Sequence, residues 1–286
     1  MDKTPNRMPK IITVDLDGTL FLRDHTTLGA RTYQALSAYV ACGTELVPAT
    51  GRCVGLIPAE NMPPVNYMIS CNGAVIYDVR NDKIIHSDYI PKEHLIAAWE
   101  IIREYDVMLE LFAEKDVVIE RRVLENLDKY KKQIPIFQPQ YFRRGLATVV
   151  ESFDEYIERE GTRVAKINLP GKNIDHCPEL LDRIRATGFF DVSSDGENME
   201  ATNKGCNKGE GLKWLCRYLG ISLEEAVSFG DGDNDIPILT CAGWGVAMGN
   251  SKDFVKAHAS HCTASHTEDG IALFLEKTFS IPTVNP

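Results

Sequence analysis

The first clear pattern along the chain is Ile11-Ile12-Thr13-Val14, an uncharged run rich in β-branched residues. Such a run reads as a strand buried on both faces, as in parallel sheets. Leu28, Ala35, Leu36, Tyr39 and Val40 then recur at helical spacing, and Cys42-Gly43 marks the stop. Short apolar runs over 45–49 and 67–70 predict two more strands. Asn72-Gly73 and Asn81-Asp82 bracket a further apolar run over 74–77, which predicts a hairpin. Strands alternating with helices imply an α/β fold with a parallel sheet.

From about residue 88 to 190 the character changes. The pattern there predicts an amphipathic helix over 92–105, a strand pair over 107–112 and 117–120, and a polar segment over 129–140. A helix opened by the capping-box pattern Ser152-x-x-Glu155, a strand over 164–168 and a helix over 178–187 follow. From Asp191 onward the doubly wound pattern resumes, with a helix over 209–219 ended by Gly220 and a second capping box, Ser222-x-x-Glu225. Strands over 226–229 and 244–247 and a helix over 271–279 close the chain. The expected architecture is therefore α/β: a doubly wound (Rossmann-like) parallel-sheet core of residues 1–87 and 191–286, with an inserted α/β domain of residues 88–190.

A length of 286 residues suits two domains. A net charge of −10 argues against a broad basic face for nucleic acid or anionic membrane, so an anionic partner would need a local positive site. No apolar run approaches the length of a membrane span, and the first fourteen residues carry no signal-peptide pattern. Eight cysteines are scattered without a Cys-x-x-Cys pair, which favours reduced thiols in a cytoplasm. Cys53 reads as packing rather than chemistry.

Four short segments carry candidate chemistry. Asp15-Leu16-Asp17-Gly18-Thr19 follows the first strand, at the carboxyl end where open α/β sheets bind ligands. Residues two apart on a strand point the same way, so Asp15 and Asp17 can serve one centre, and their repulsion calls for a shared cation or proton. Thr50-Gly51-Arg52 follows the second strand. A hydroxyl, a glycine N–H and a guanidinium there suit a phosphate or carboxylate, though the same letters make a commonplace turn. Lys208-Gly209 opens a helix, where an ammonium and the helix N-terminus both face an anion. Asn203-Lys204-Gly205 nearly duplicates it, and Lys208 is preferred because Leu212, Leu215, Cys216 and Leu219 start their apolar face from there. Gly230-Asp231-Gly232-Asp233-Asn234-Asp235 sits at another strand end. Its carboxylates, with Asp15 and Asp17, suit Mg²⁺ with several retained waters. On a purely local reading, Asp233 and Asn234 cap the following helix.

Together and in this order the four segments resemble the signatures of the haloacid dehalogenase superfamily of phosphohydrolases. The long insert between the second and third is similar to that of the Cof-like subgroup with a large α/β cap (type IIB). The resemblance implies Asp15 as a nucleophile that becomes phosphorylated, and Asp17 as the general acid and base. It also implies Mg²⁺ on the carboxylates of Asp15 and Asp231 and the backbone carbonyl of Asp17. Leu16, Thr50, Gly51, Lys208 and Asn234 would hold phosphate oxygens. Asp235 would orient Lys208 or the metal's water shell, with Arg52 in support. The activity implied is a Mg²⁺-dependent phosphatase acting on a small phosphorylated metabolite, a sugar phosphate first. A phosphomutase of the same superfamily is the alternative, and a catalytically silent module is a weaker one. Arg121, Arg122, Arg143 and Arg144 of the insert read as solvated surface.

Overall fold

The computed structural model describes residues 8–130, 142, 145, 147–171, 177–194 and 198–279. The chain first forms β1 (Ile11–Val14), β2 (Glu45–Pro48), β3 (Tyr67–Ser70), β4 (Val75–Asp78) and β5 (Lys83–Ser87). It then forms β6 (Glu110–Phe112), β7 (Val117–Glu120), β8 (Ala147–Val150), β9 (Lys166–Pro170), β10 (Phe190–Ser194) and β11 (Asn198–Asn203). β12 (Ala226–Gly230), β13 (Trp244–Ala247) and β14 (His261–Cys262) complete the set. Two compact units result, one of residues 1–51, 58–85 and 207–286, the other of residues 52–57 and 86–206.

In the first unit, strands run β14-β13-β12-β1-β2 and every pair is parallel. β1 and β12 are buried along their whole length, which is why their sequences are unbroken apolar or small-residue runs. Ile11 and Ala226 pack with Leu212 and Leu215 of helix Lys208–Leu219 and with Ile238 of helix Ile236–Cys241. Alternation turns Val14 and its register partner Phe229 to the other face, where Phe229 meets Phe274 of helix Gly270–Phe279 edge-on at 5.6 Å. Helix Ala30–Ala41 joins that helix through Tyr39, whose hydroxyl donates to Leu275 O. β2 and β3 lie outward from β1 on one side, β13 and β14 outward from β12 on the other. The β1/β12 boundary is therefore the topological switch point of the sheet.

The expected hairpin forms as β3 and β4, antiparallel in register from Tyr67↔Asp78 to Ser70↔Val75. The turn between them is tighter than a hairpin signal implies. Cys71, Asn72 and Gly73 all take positive φ, at 49°, 55° and 100°.

The second unit holds a six-stranded sheet in the order β10-β11-β9-β6-β7-β8. On one face Leu111, Ile167, Leu169 and Met199 pack against Leu95 and Trp99 of helix Lys92–Ile102, and against Phe153 and Leu180 from two further helices. Residues 191–206 were expected to rejoin the core, yet β10 and β11 belong to this sheet because β11 pairs with β9 through five residues. Short alternating strands carry no information about which sheet they enter, and the chain returns to the core only after Cys206. The strand expected over 164–168 is Lys166–Pro170, and most of the polar segment over 129–140 lies outside the described residues. Among the described residues no helix is long and apolar enough to cross a membrane.

Candidate active site

Asp15 leaves the end of β1 beside the end of β12, its N–H donating to Phe229 O at 3.0 Å. The chain then winds back on itself, with Leu20 and Phe21 N–H both donating to Leu16 O, whose side chain is buried. Gly18 makes the turn at φ +84°, and a Cβ there would lie 2.4 Å from Asp231 Oδ2. The glycine is needed both for its backbone and for the carboxylate it lets approach.

Lys208 is the second residue to arrive. Asn207 caps its helix by accepting from Glu210 N, and the fully buried ammonium donates to Asp15 Oδ1 at 2.7 Å and to Asp235 Oδ1 at 2.6 Å. Burial pushes this ammonium's pKa down, but the charges and hydrogen bonds of Asp15 and Asp235 outweigh it and leave the lysine firmly charged. Lys204 goes elsewhere, pairing with Asp191 at 2.6 Å on an exposed turn.

The loop after β12 supplies two further carboxylates with different tasks. Asp235 is buried, and its Oδ2 accepts the N–H of both Asp231 and Gly232 at 2.9 Å. This corrects the local capping reading: Asp235 secures the loop and the start of the next helix, whereas Asn234 turns its Nδ2 to Asn72 Oδ1 at 3.2 Å. Asp231 instead accepts from Thr19 Oγ1 at 2.7 Å and from Asn250 Nδ2 at 3.1 Å, one donor per oxygen.

Oxygens of Asp15, Asp231 and Asp235 all lie within 4.8 Å of one another. One ammonium lies among three carboxylates, and burial together with the surplus negative charge shows in the acidities of Asp15 and Asp231. Burial raises the Asp15 carboxyl well above its ordinary range, with Lys208 opposing and Asp235, Asp231 and Asp17 adding to the rise. Burial and then the Asp235 charge likewise raise Asp231. An all-oxygen donor set short of positive charge fits a hard divalent cation. Asp235 is the poorest ligand of the three, because two backbone donors already fill the lone pairs of its Oδ2. Asp15 and Asp231 are the carboxylates suited to the ion.

The remaining expected residues are spread around this cluster. The Asp17 carboxylate meets His25, with Nδ1 2.7 Å from Oδ1. Thr50 and Gly51 follow β2, where Thr50 N–H donates to Ile69 O and Thr50 O accepts Asn72 N–H, both at 2.9 Å. Arg52 falls in the second compact unit, where its Nη1 donates to Leu56 O at 3.2 Å. Arg121 is exposed and paired with Glu151, and Arg122 with Glu120. Arg143 and Arg144 lie outside the described residues.

Three residues that the sequence pattern did not single out also line the site, His25, Asn72 and Asn250, while Thr19 of the first segment serves as a donor to Asp231. Asn250 Nδ2 also donates to Gly18 O at 2.8 Å, so one amide ties the loops after β1 and β12 together. Only Asn72 left a trace in the sequence, as the first half of a turn dipeptide.

The chain is similar to known proteins. The phosphatase YwpJ of Bacillus subtilis (strain 168) is 29% identical over 289 residues, covering 92% of this chain and 97% of that protein. The pyridoxal phosphate phosphatase YbhA of Escherichia coli (strain K12) is 29% identical over 276 residues, covering 93% and 97%. Among solved structures, a sugar phosphatase of HAD subclass IIB superposes with a TM-score of 0.77 at 27% identity, covering 94% of this chain and 98% of its own. The model of one family runs from residue 12, within β1, to residue 275, within the last helix, and the chain belongs to that family, the haloacid dehalogenase-like hydrolases.

Proposed function

We propose that the protein is a Mg²⁺-dependent phosphatase that hydrolyses a small phosphorylated metabolite through a phosphorylated Asp15. The observation that carries this reading is a buried carboxylate at the sheet's switch point, held by Lys208 and set opposite Asp231. Asp15 Oδ attacks phosphorus in line, and the P–O ester bond breaks with its electron pair leaving on the ester oxygen. That oxygen takes a proton from the Asp17 carboxyl. In the second half, water gives a proton back to Asp17 as its oxygen bonds to phosphorus and the Asp15–phosphorus bond breaks, releasing orthophosphate. Thr50, the N–H groups of Leu16 and Gly51, Lys208 and Asn234 hold the phosphoryl oxygens.

Asp15 and Asp231, with the backbone carbonyl of Asp17, would hold Mg²⁺, which supplies positive charge against the phosphoryl oxygens. Asp235 keeps Lys208 and the 231–232 loop in place. The inserted unit serves as the cap that discriminates among leaving groups. A sugar phosphate is the substrate class put first, supported by the likeness to the subclass IIB sugar phosphatase.

The test is phosphate release from p-nitrophenyl phosphate and from a panel of phosphorylated metabolites, with and without Mg²⁺, by wild type and Asp15→Asn. Turnover by wild type and none by the variant, at unchanged thermal stability, supports the mechanism. Retained turnover in Asp15→Asn, with the substitution verified intact, sinks it. A product that is an isomeric phosphate ester rather than orthophosphate identifies a phosphomutase instead, and no reaction with any ester identifies a silent module.

A further inference from the structure

The turn after the Asp15–Thr19 segment is built around one histidine. Leu22 N–H donates to Thr27 O at 2.8 Å and His25 N–H to Leu22 O at 2.9 Å, which closes the loop. Asp24 braces it, accepting from Thr26 N at 3.1 Å, Thr27 N at 2.9 Å and Thr27 Oγ1 at 2.7 Å. These donors, the Thr27 N–H first, hold the Asp24 carboxyl below its usual range. At the tip, His25 takes φ +61°, a left-handed conformation uncommon outside glycine.

Strained residues held by a surrounding network gather where a side chain must be aimed. His25 is aimed at Asp17, with Nδ1 2.7 Å from Oδ1. Both side chains are over a third exposed, at 35% and 37%, so the histidine fills no core, and a pair this open adds little to stability. What the contact does supply is an orienting partner for the Asp17 carboxyl group.

We infer that His25 is a positioning residue for proton transfer: its imidazole holds the Asp17 carboxyl in the rotamer that serves the leaving group. The inference rests on the general acid role proposed for Asp17. It separates substrates by their chemistry, because an alkoxide leaving group must be protonated as it departs, whereas a p-nitrophenolate is stable enough to leave unaided.

The experiment compares kcat/KM on glucose 6-phosphate and on p-nitrophenyl phosphate for wild type, His25→Ala, His25→Asn and Asp24→Ala. The parameter reports the step in which the ester bond breaks, before any water attacks. Loss of well-placed acid catalysis is worth roughly 10²-fold or more. His25→Ala is expected to lose about that much on the sugar ester and only a few-fold on the aryl ester. His25→Asn, which keeps a donor, recovers part of the sugar-ester rate. Asp24→Ala, which loosens the loop without touching Asp17, repeats the selective loss in milder form. Equal losses on both esters, or no loss on either, overturn the inference while leaving the phosphatase reading intact. A wild type inactive on both esters overturns that reading, and this inference with it.

Discussion

Lys208 Nζ reaches Asp15 Oδ1 at 2.7 Å from a position 193 residues away in the chain, and the lysine side chain is fully buried. The contact joins the amino end of a helix to the carboxyl end of the central strand, so it exists only if the sheet and its covering helix are both in place. The same lysine pairs with Asp235, and it is the charge that lets two buried carboxylates stand side by side.

Replacing that ammonium therefore tests the centre directly. Lys208→Ala is expected to lower kcat by roughly 10²–10³-fold, the scale for losing one charge-stabilising donor. Lys204→Ala, which removes a surface partner of Asp191, is expected to change it little. Steady-state kinetics on the two variants check the pair, and reversed effects would show that the wrong lysine has been assigned.

Gly18 gives a sharper geometric test. A Cβ there meets Asp231 Oδ2 at 2.4 Å, whereas Gly43, also at positive φ (+91°), has nothing within 4 Å of the same atom. Both alanine variants suffer a left-handed backbone cost of roughly 1–2 kcal/mol. Only Gly18→Ala should also weaken Mg²⁺ binding, measured by calorimetry, because it displaces the Asp231 carboxylate. Equal Mg²⁺ affinity in the two variants would disprove the role given to Asp231.

The raised pKa of Asp231 makes stability depend on pH. Burial and the Asp235 charge push it up to about 7, against about 3.9 in an unfolded chain. A raised folded-state value means the folded state holds its proton longer. The stabilisation is full below the unfolded value and is lost as pH rises through the folded value. The Tm of chelator-treated wild type, less that of Asp231→Asn, should accordingly fall between about pH 4 and pH 7. Added Mg²⁺ should restore it above that window. A difference that stays flat with pH would contradict the crowding of charge described for this site.

Metal dependence is the last expectation. EDTA should stop turnover and Mg²⁺ restore it, with Ca²⁺ a poor substitute, since calcium prefers longer bonds and more ligands than two carboxylates at a tight turn provide. Full turnover in metal-free buffer would rule out the proposed use of Asp15 and Asp231.

Much of the site was legible before the fold was known, because its parts are local. A β-branched run followed by Asp15-x-Asp17-Gly18 needs only nearest neighbours to be read as a strand ending in carboxylates. Lys208 was separable from Lys204 for a similar reason: the apolar face of Leu212, Leu215 and Cys216, all buried, begins at the former. The return to the core was not legible, since β10 and β11 have the period of any half-buried strand and their partner β9 is chosen by packing.

The sequence by itself determined where strands end and which of those ends carry acid, hydroxyl and ammonium groups, because periodicity and turn chemistry act over a few residues. The tertiary structure alone decided how the groups divide their work. Asp235 became the brace and Asp231 the open carboxylate, although they stand four apart in one loop, because one faces backbone donors and Lys208 while the other faces Thr19 and Asn250. His25 and Asn250 entered the site through contacts that no short-range pattern encodes. Such contacts depend on which loops the sheet brings to one edge, and that is set by the order of its strands.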